Sequence, residues 1–117
     1  MITNQSKKIL NLASDALYDL KAHNIVVLEV GSFTSVTDYM LIASGTSKQH
    51  VRSIAENVEK VAKKNKVSIL GVEGETTAEW MLIDLGDVIV HIMTPEVRNY
   101  YQLEKLWSVE DIADSTA

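Results

Sequence analysis

The sequence predicts an α/β fold, mixed α+β in style, with about five strands in a mixed sheet and three main helices. Three observations predict it. Apolar residues recur at helical spacing in three segments. Short apolar runs of strand length lie between them. Residues 80–93, WMLIDLGDVIVHIM, have the pattern of a hairpin with two unlike faces. A chain of 117 residues without cysteine can bury one core but forms no disulfide, so we expect a single domain.

Each element has its own signal along the chain. Helical spacing marks the helices, and turn residues separate the strands. The second helix is predicted between two strands, which implies a right-handed parallel crossover. The predicted elements are a helix over residues 4–22, a strand over 25–30, a turn-rich segment over 31–37, a strand over 39–43, a helix from the junction 44–47 to about 65, a strand over 67–72, an acidic loop over 73–79, the hairpin over 80–93 and a helix from 95 to about 107.

Residue types at the helix ends support these bounds. His23-Asn24 is expected to stop the first helix. Thr46 followed by Gln49 fits a capping box at the start of the second. Thr94 is expected to cap the last helix, with a proline at its first position.

The hairpin segment predicts two different sheet faces. Gly86-Asp87 is a two-residue turn signal, and it sets a register in which alternate residues share a face. One face is aliphatic or thioether throughout and reads as core: Met81, Ile83, Leu85, Val88, Val90 and Ile92. The other mixes apolar groups with a carboxylate and an imidazole, which suits a surface that meets a partner. Its members are Trp80, Leu82, Asp84, Ile89, His91 and Met93.

Charge is divided unevenly between the two halves of the chain. Residues 1–66 carry nine basic and six acidic residues, whereas residues 67–117 carry two basic and ten acidic ones. The hairpin lies in the second half, whose net charge is −8, so a basic protein is the expected partner there and a phosphate backbone is not. A short basic run ends the second helix and leaves open a nucleic-acid module, although a solvated helix end is the simpler interpretation. The run is Lys60, Lys63, Lys64 and Lys66.

The sequence also indicates the cellular compartment and the extent of the folded domain. The start of the chain lacks the apolar run of a secretory signal, and no segment approaches the ~20 apolar residues of a membrane span. We therefore expect a soluble, cytoplasmic protein. We also expect one domain over residues 1–107 and an acidic, flexible tail over 108–117.

Catalytic and metal chemistry find little support in the residue pattern. Gly31-Ser32 followed by Asp38 has the layout of a nucleotidyltransferase, but Met40 stands where a second carboxylate would be needed to hold two metal ions. Such a nucleotide-binding enzyme using Asp38 is the alternative function. The histidines, His23, His50 and His91, do not form a spaced pair. With no cysteine, we expect no metal site, no cofactor and no catalytic residue.

The roles of three side chains stay open at this point. His50 falls in the first turn of its helix, where hydrogen bonds to nearby backbone would occupy it. For His91 a structural role and a partner contact are equally plausible. Trp80 shares its strand face with Asp84, and burial of this carboxylate without a partner would be costly. For Trp80, burial beneath a helix and contact with a partner therefore both remain open.

Four blocks of the sequence together resemble a known family. The blocks are TDYMLIASGTSKQHV at 37–51, GVEGE at 71–75, WMLIDLGDVIVHIM at 80–93 and RNYYQLEKLW at 98–107. In order and spacing they resemble the ribosomal silencing factor family, also called RsfS or Iojap-like. The resemblance implies a fold similar to that of nucleotidyltransferases but without the catalytic carboxylates.

The resemblance implies a translation regulator rather than an enzyme. Members of this family bind the large ribosomal subunit through ribosomal protein L-fourteen, on the surface that faces the small subunit. Their presence prevents the subunits from joining, which lowers protein synthesis when nutrients are scarce. A homodimer that uses the same sheet face is also expected, because a free apolar face tends to pair with itself.

The resemblance also indicates which residues would meet the partner. The family's binding surface corresponds to residues 80–87 here, and Trp80 is the expected apolar anchor. Asp84 and Asp87 would orient a basic partner. The hairpin register assigns Leu85 to the core face. Leu85 could then contact the partner only if its side chain reached the edge of the face at the turn. The predicted partner-binding residues are Trp80, Leu82, Asp84, Leu85, Asp87, His91 and Glu73.

Overall fold

The computed structural model describes residues 2–103 and 105. Three helices and five strands lie within these residues, as the sequence predicts. In chain order they are α1 (Asn4–Asp19), β1 (His23–Glu29), β2 (Tyr39–Ser44), α2 (Lys48–Lys64), β3 (Gly71–Glu73), β4 (Trp80–Asp84), β5 (Val88–Met93) and α3 (Pro95–Tyr101).

The strands form one mixed sheet in the order β1-β2-β5-β4-β3. β2 runs parallel to β5, and the other neighbouring pairs are antiparallel. β3 consequently runs in the same direction as β2, so α2 joins two parallel strands as predicted. These two strands are not neighbours, because β5 and β4 lie between them.

Helices α1 and α2 cover one face of the sheet and form the main core with it. All six residues of the predicted hairpin core face are buried there. The observed pairing of β4 with β5 brings Met81 opposite Ile92 and Ile83 opposite Val90, which is the predicted register. Gly86 has a φ of 83° in the connecting turn, a conformation that glycine adopts without strain.

The first helix and the third strand are shorter than predicted. α1 ends at Asp19 because Lys21 takes a left-handed conformation with φ 58°, and His23-Asn24 opens β1 instead of stopping the helix. β3 begins at Gly71 rather than at residue 67. The segment from 67 lies outside the strand because the chain is still leaving α2, where the Val67 N–H donates to the Ala62 carbonyl.

The other two helices each differ from the prediction at one end. Ser47, not Thr46, caps α2, because the Ser47 hydroxyl accepts from the His50 N–H, so the predicted capping box is wrong. Thr94 is the N-cap residue of α3 as predicted, with Pro95 following it. α3 stops at Tyr101 because Gln102 turns left-handed with φ 48°. Residue 107, the predicted helix end, and the predicted tail over 108–117 lie outside the described residues.

Within the described residues, no helix is long and apolar enough to span a membrane.

Candidate docking face

The second face of the sheet turns away from α1 and α2, and we call it the open face. Residues that are paired across neighbouring strands share a face, so the register defines its membership. On β4 and β5 its residues are Trp80, Leu82, Asp84, Ile89, His91 and Met93, and the neighbouring strands add Leu28, Met40, Ile42 and Glu73.

Helix α3 covers one end of the open face. Leu103 packs there with Val30, Met40, Ile42 and Met93 in a second, smaller core cluster. Met93 is fully buried in this cluster, so the open face is not exposed over its whole length. Towards the hairpin turn, Leu28, Leu82 and Ile89 are half-buried and remain accessible, although Met40, which pairs with both Leu28 and Ile89, is buried. We call these three half-buried side chains on β1, β4 and β5 the accessible strip.

Trp80 lies at the border between the covered and accessible parts. Its side chain is half-buried and packs against the second core cluster. The indole Nε1–H donates to Nδ1 of His91 at 2.9 Å, which fixes the ring orientation. The ring of Tyr101 lies against it, with the centroids 5.1 Å apart. Trp80 is therefore both a packed residue and a partly accessible one, so the two alternatives left open for it do not exclude each other.

His91 fixes the orientation of Trp80 through this hydrogen bond. Its side chain is only 6% exposed, which leaves almost no surface for a partner, so its predicted contact is corrected to a positioning role. Because the indole nitrogen can only donate, Nδ1 of His91 must accept, and the ring proton is on Nε2. Burial lowers the pKa of His91 to about 4, since the charged form would lose its hydration. The imidazole is therefore neutral at physiological pH.

Two tyrosines of α3 extend the aromatic group, and sequence analysis missed both. Tyr101 is 55% exposed and contacts Trp80, while Tyr100 is more exposed and meets Tyr101 edge to face at 4.9 Å. Exposed aromatic pairs are typical of interface anchors. Helical spacing placed them on a helix, but only the docking of α3 across β5 brings Tyr101 to Trp80. A search of the sequence for paired aromatic residues near the hairpin would have indicated them.

The predicted acidic residues surround the accessible strip but differ in their roles. The Asp84 Oδ1 accepts from the Gly86 N–H at 2.8 Å, so this carboxylate also stabilises the hairpin turn. Asp87 is half-buried in the turn, and its backbone carbonyl accepts from the N–H groups of Asp38 and Tyr39. Glu73 is exposed at the end of β3, opposite Leu82. Asp84 and Glu73 give this end of the open face a negative fringe, whereas Asp87 lies in the hairpin turn and lines a pocket together with Gln5 of α1.

Leu85 belongs to the main core and not to the open face. Its side chain is 6% exposed and packs in the cluster that α1 and α2 form with the sheet. The register of the hairpin predicted this face, and the structure confirms it. The prediction that Leu85 also contacts a partner is therefore not carried forward, because the side chain has little surface left for one.

The loop over residues 74–79 controls where β4 begins. Gly74 has a φ of 87°, and a Cβ at this position would lie 2.0 Å from the carbonyl oxygen of Trp80. The loop is tied back by the Ala78 N–H, which donates to the Gly74 carbonyl, and by Arg52, whose Nη2 donates to the Glu75 carbonyl. The loop therefore packs directly on the backbone of Trp80.

Asp38 is buried in a structural contact. Its carboxylate accepts from the Ser6 hydroxyl at 2.6 Å, and its backbone carbonyl accepts from the N–H groups of Val30 and Gly31. The hydrogen bond from Ser6 holds the pKa of Asp38 below its usual range, while burial opposes this shift. The side chain thus joins α1 to the start of β2, whereas sequence analysis expected it to order the turn through backbone hydrogen bonds.

The other candidate sites take structural roles. Nδ1 of His50 accepts from the Thr46 N–H, and its Nε2 donates to the Leu20 carbonyl at 2.7 Å, so this ring bonds nearby backbone as predicted and also joins α2 to the end of α1. The lysines over residues 60–66 are exposed at the end of α2. Across the described residues, no group of three His, Cys, Asp or Glu side chains is arranged to hold a metal ion.

Comparison with known proteins identifies the family. A family model described as "Ribosomal silencing factor during starvation" matches residues 3–116. The chain belongs to the ribosomal silencing factor family. This confirms the resemblance carried by the four sequence blocks.

Relatives of this family member support the assignment over most of the chain. The ribosomal silencing factor RsfS of Bacillus subtilis is 40% identical, and the alignment covers 92% of each chain. A crystal structure of a Chromobacterium violaceum protein superposes with a TM-score of 0.85 at 42% identity, covering 86% of this chain and 84% of that one. A mouse protein named "Mitochondrial assembly of ribosomal large subunit protein 1" is 34% identical over 82% of this chain and 43% of its own length.

The family is regulatory and non-enzymatic, as its relatives' names indicate. The alternative of a nucleotidyltransferase using Asp38 is therefore wrong. In the structure the Asp38 carboxylate makes a buried hydrogen bond with the Ser6 hydroxyl, which joins α1 to the start of β2.

Proposed function

We propose that this silencing factor binds the large ribosomal subunit through ribosomal protein L-fourteen, using the accessible part of its open face, and thereby blocks the small subunit. The family match supports a ribosome-directed role in regulating translation. The name of the mouse relative refers to the large subunit. The observation that carries the proposal is the strip of Leu28, Leu82 and Ile89, which is half-buried and edged by carboxylates.

The strip has the anatomy of a protein interface. Its side chains are apolar, the charged groups Glu73 and Asp84 stand at its edge, and Asp87 follows in the hairpin turn. Trp80 and Tyr101 form the aromatic anchor at one side, held by the hydrogen bond from the indole to His91. Ribosomal proteins are typically basic, so the acidic fringe would attract such a partner and orient it as it approaches.

The proposed mechanism is steric exclusion and involves no catalysed reaction. A bound 13.0 kDa protein need only overlap the surface on which the small subunit docks. Translation then falls because fewer subunits join, and nutrient limitation is the condition under which we propose that this happens. Cytoplasmic location follows from the site of action.

A homodimer is a second proposed use of the same face. The accessible apolar strip would pair with its copy in the absence of the ribosome, so dimerisation and ribosome binding would compete. Sedimentation of the Trp80→Ala variant distinguishes competition for one face from dimerisation and ribosome binding on separate surfaces. Competition predicts that the variant loses both the dimer and ribosome binding, whereas an intact dimer without ribosome binding would contradict it.

Co-sedimentation with purified large subunits tests the proposed function. The protein should pellet with large subunits at low salt, and less of it should pellet as salt rises, because the acidic fringe is screened. Adding the protein before small subunits should also lower the yield of joined ribosomes. Recovery of the protein in the supernatant at low salt, or unchanged subunit joining, would overturn the proposal.

A further inference from the structure

Three aromatic side chains stand in a row from β4 to the outer surface of α3, and we call them the aromatic row. They are Trp80, Tyr101 and Tyr100, and the ring centroids are 5.1 Å apart for the first pair and 4.9 Å apart for the second. Exposure rises along the row, because Trp80 is half-buried, Tyr101 is 55% exposed and Tyr100 is 80% exposed. The row therefore ends in a ring that is almost wholly accessible to solvent.

The packing of the fold does not explain Tyr100. A ring that is 80% exposed buries little apolar surface, and its hydroxyl makes no hydrogen bond to a residue that the structure describes. Within the same part of the chain, its ring contact is with Tyr101. Exposed tyrosine and tryptophan side chains are characteristic of surfaces that bind other proteins. The ring of Tyr100 is thus available to a partner.

The angles between the rings suit a bound cation. The planes of Tyr100 and Tyr101 are 85° apart, so the two rings form a corner with aromatic walls. The ring of Trp80 is tilted by 49° against Tyr101 and continues the row towards the sheet. The face of an aromatic ring carries negative charge density and attracts a cation within about 6 Å of its centroid.

The charges beside the aromatic row have the sign that a cation requires. Glu79 precedes Trp80, and its backbone carbonyl accepts from the Thr94 N–H at the start of α3. Glu96 lies one helical turn before Tyr100. Both glutamates are exposed, and neither forms an ion pair with a described residue. The site therefore combines aromatic rings with carboxylates whose charge is not neutralised within the described fold.

The cation of α3 itself does not occupy this site. The Arg98 guanidinium donates to the Ser44 hydroxyl on β2, whereas Tyr101 contacts Trp80 on β4. β2 and β4 lie on opposite sides of β5 in the sheet. The two side chains therefore leave the helix in different directions, and a cation bound by the aromatic row must come from another molecule.

We propose that the aromatic row binds an arginine side chain of the basic protein partner. A planar guanidinium stacks on an aromatic face and still directs N–H groups to nearby carboxylates, which an ammonium group does less well. An RNA base also stacks on aromatic rings, but the two glutamates would repel its phosphates. The inference rests on the proposed function, because it extends the partner surface from the accessible strip to α3.

Titration of the free protein by nuclear magnetic resonance tests the ligand. The first probe is a blocked glycine–arginine–glycine tripeptide, and its matched control carries citrulline, which has nearly the same shape as arginine without the charge. The ring signals of Tyr100 and Tyr101 and the indole N–H signal of Trp80 should shift with the arginine peptide and much less with the citrulline peptide. Equal shifts with both peptides, or shifts only with a short single-stranded RNA, would overturn the proposal.

Substitution of Tyr100 tests the same site in the complex. Tyr100→Leu removes the ring and keeps an apolar side chain, so the variant should bind the arginine peptide and large ribosomal subunits about fivefold more weakly. Tyr100→Phe keeps the ring and should bind both as the wild type does. Tyr18→Leu is the matched control, because Tyr18 is a 66% exposed tyrosine on α1, and it should also bind normally.

The two proposals fail in different ways. If the wild type pellets with large subunits and Tyr100→Leu pellets equally well, the aromatic row does not bind the partner, although the proposed function stands. If the wild type does not pellet, the proposed function fails, and the peptide titration still decides whether the row binds arginine. Weakening of subunit binding by Tyr18→Leu to the same extent as by Tyr100→Leu would also contradict the inference.

Discussion

Trp80 and His91 are the pair of side chains on which the candidate site depends. The indole donates to Nδ1 of the imidazole, and the imidazole is buried and neutral with its pKa lowered to about 4. Protonated His91 would place two donors face to face, so the hydrogen bond would be lost. The orientation of Trp80 is therefore linked to pH, although the switch lies well below the physiological range.

The pKa of His91 implies a pH dependence of stability. Its ordinary value is 6.5, so between pH 6.5 and 4 the unfolded state binds this proton and the folded state does not. The free energy of unfolding should therefore be highest above pH 6.5 and fall by about 3 kcal/mol as the pH falls towards 4. Urea unfolding of the wild type and of His91→Asn at several pH values measures this loss. An equal pH dependence of the free energy of unfolding in the two proteins would contradict the assignment.

Ser6 and Asp38 form a second pair whose contribution is measurable. The Ser6→Ala variant removes the hydroxyl that donates to the buried carboxylate and also accepts at the start of α1, so the free energy of unfolding should fall by about 1–3 kcal/mol. Ser14→Ala on the same helix is the control and should change stability much less. Equal effects of the two substitutions would show that the contact with Asp38 contributes nothing.

At the scale of elements, the loop before β4 determines how Trp80 is presented. Gly74 packs so closely on the Trp80 carbonyl that any side chain there must displace the strand. Gly71 lies in the neighbouring strand, and a Cβ at Gly71 would meet nothing within 4 Å. Of the two glycines in the GVEGE block, Gly71 has room for a side chain and Gly74 does not.

Substituting each of these glycines with alanine tests the role of the loop. Gly74→Ala combines a left-handed conformation with a clash, so the free energy of unfolding should fall by about 2 kcal/mol or more and binding to large subunits should weaken. Gly71→Ala should leave both nearly unchanged. Thermal unfolding and co-sedimentation measure the two effects. A tolerated Gly74→Ala would mean that the loop does not position β4.

The elements and the hairpin register were predictable from the sequence, whereas the ends of helices and strands were not. Alternation on both sides of Gly86-Asp87 left one register that places six apolar residues together on the core face. The ends of α1 and α3 depend instead on left-handed conformations at Lys21 and Gln102. Neither lysine nor glutamine is a residue type that signals this conformation in a sequence.

At the scale of the whole molecule, one sheet carries two surfaces of different kinds. α1 and α2 cover most of one face, although Val27 at the β1 edge stays exposed, while the short α3 covers only part of the other. The composition of the hairpin predicted which residues share each face. It did not predict that Met93 would pack with Leu103 and Val97 or that Tyr101 would reach Trp80, because both depend on where α3 and the residues after it pack on the sheet.

Co-sedimentation of one pair of variants with large subunits tests the open face most directly. Leu82 is half-buried on β4 in the accessible strip, and Leu70 is exposed just before β3, outside the face. The Leu82→Gln variant should bind large subunits about tenfold or more weakly, because it places an amide in the apolar part of the interface, while Leu70→Gln should bind as the wild type does. Unchanged binding by a folded Leu82→Gln protein would contradict the account.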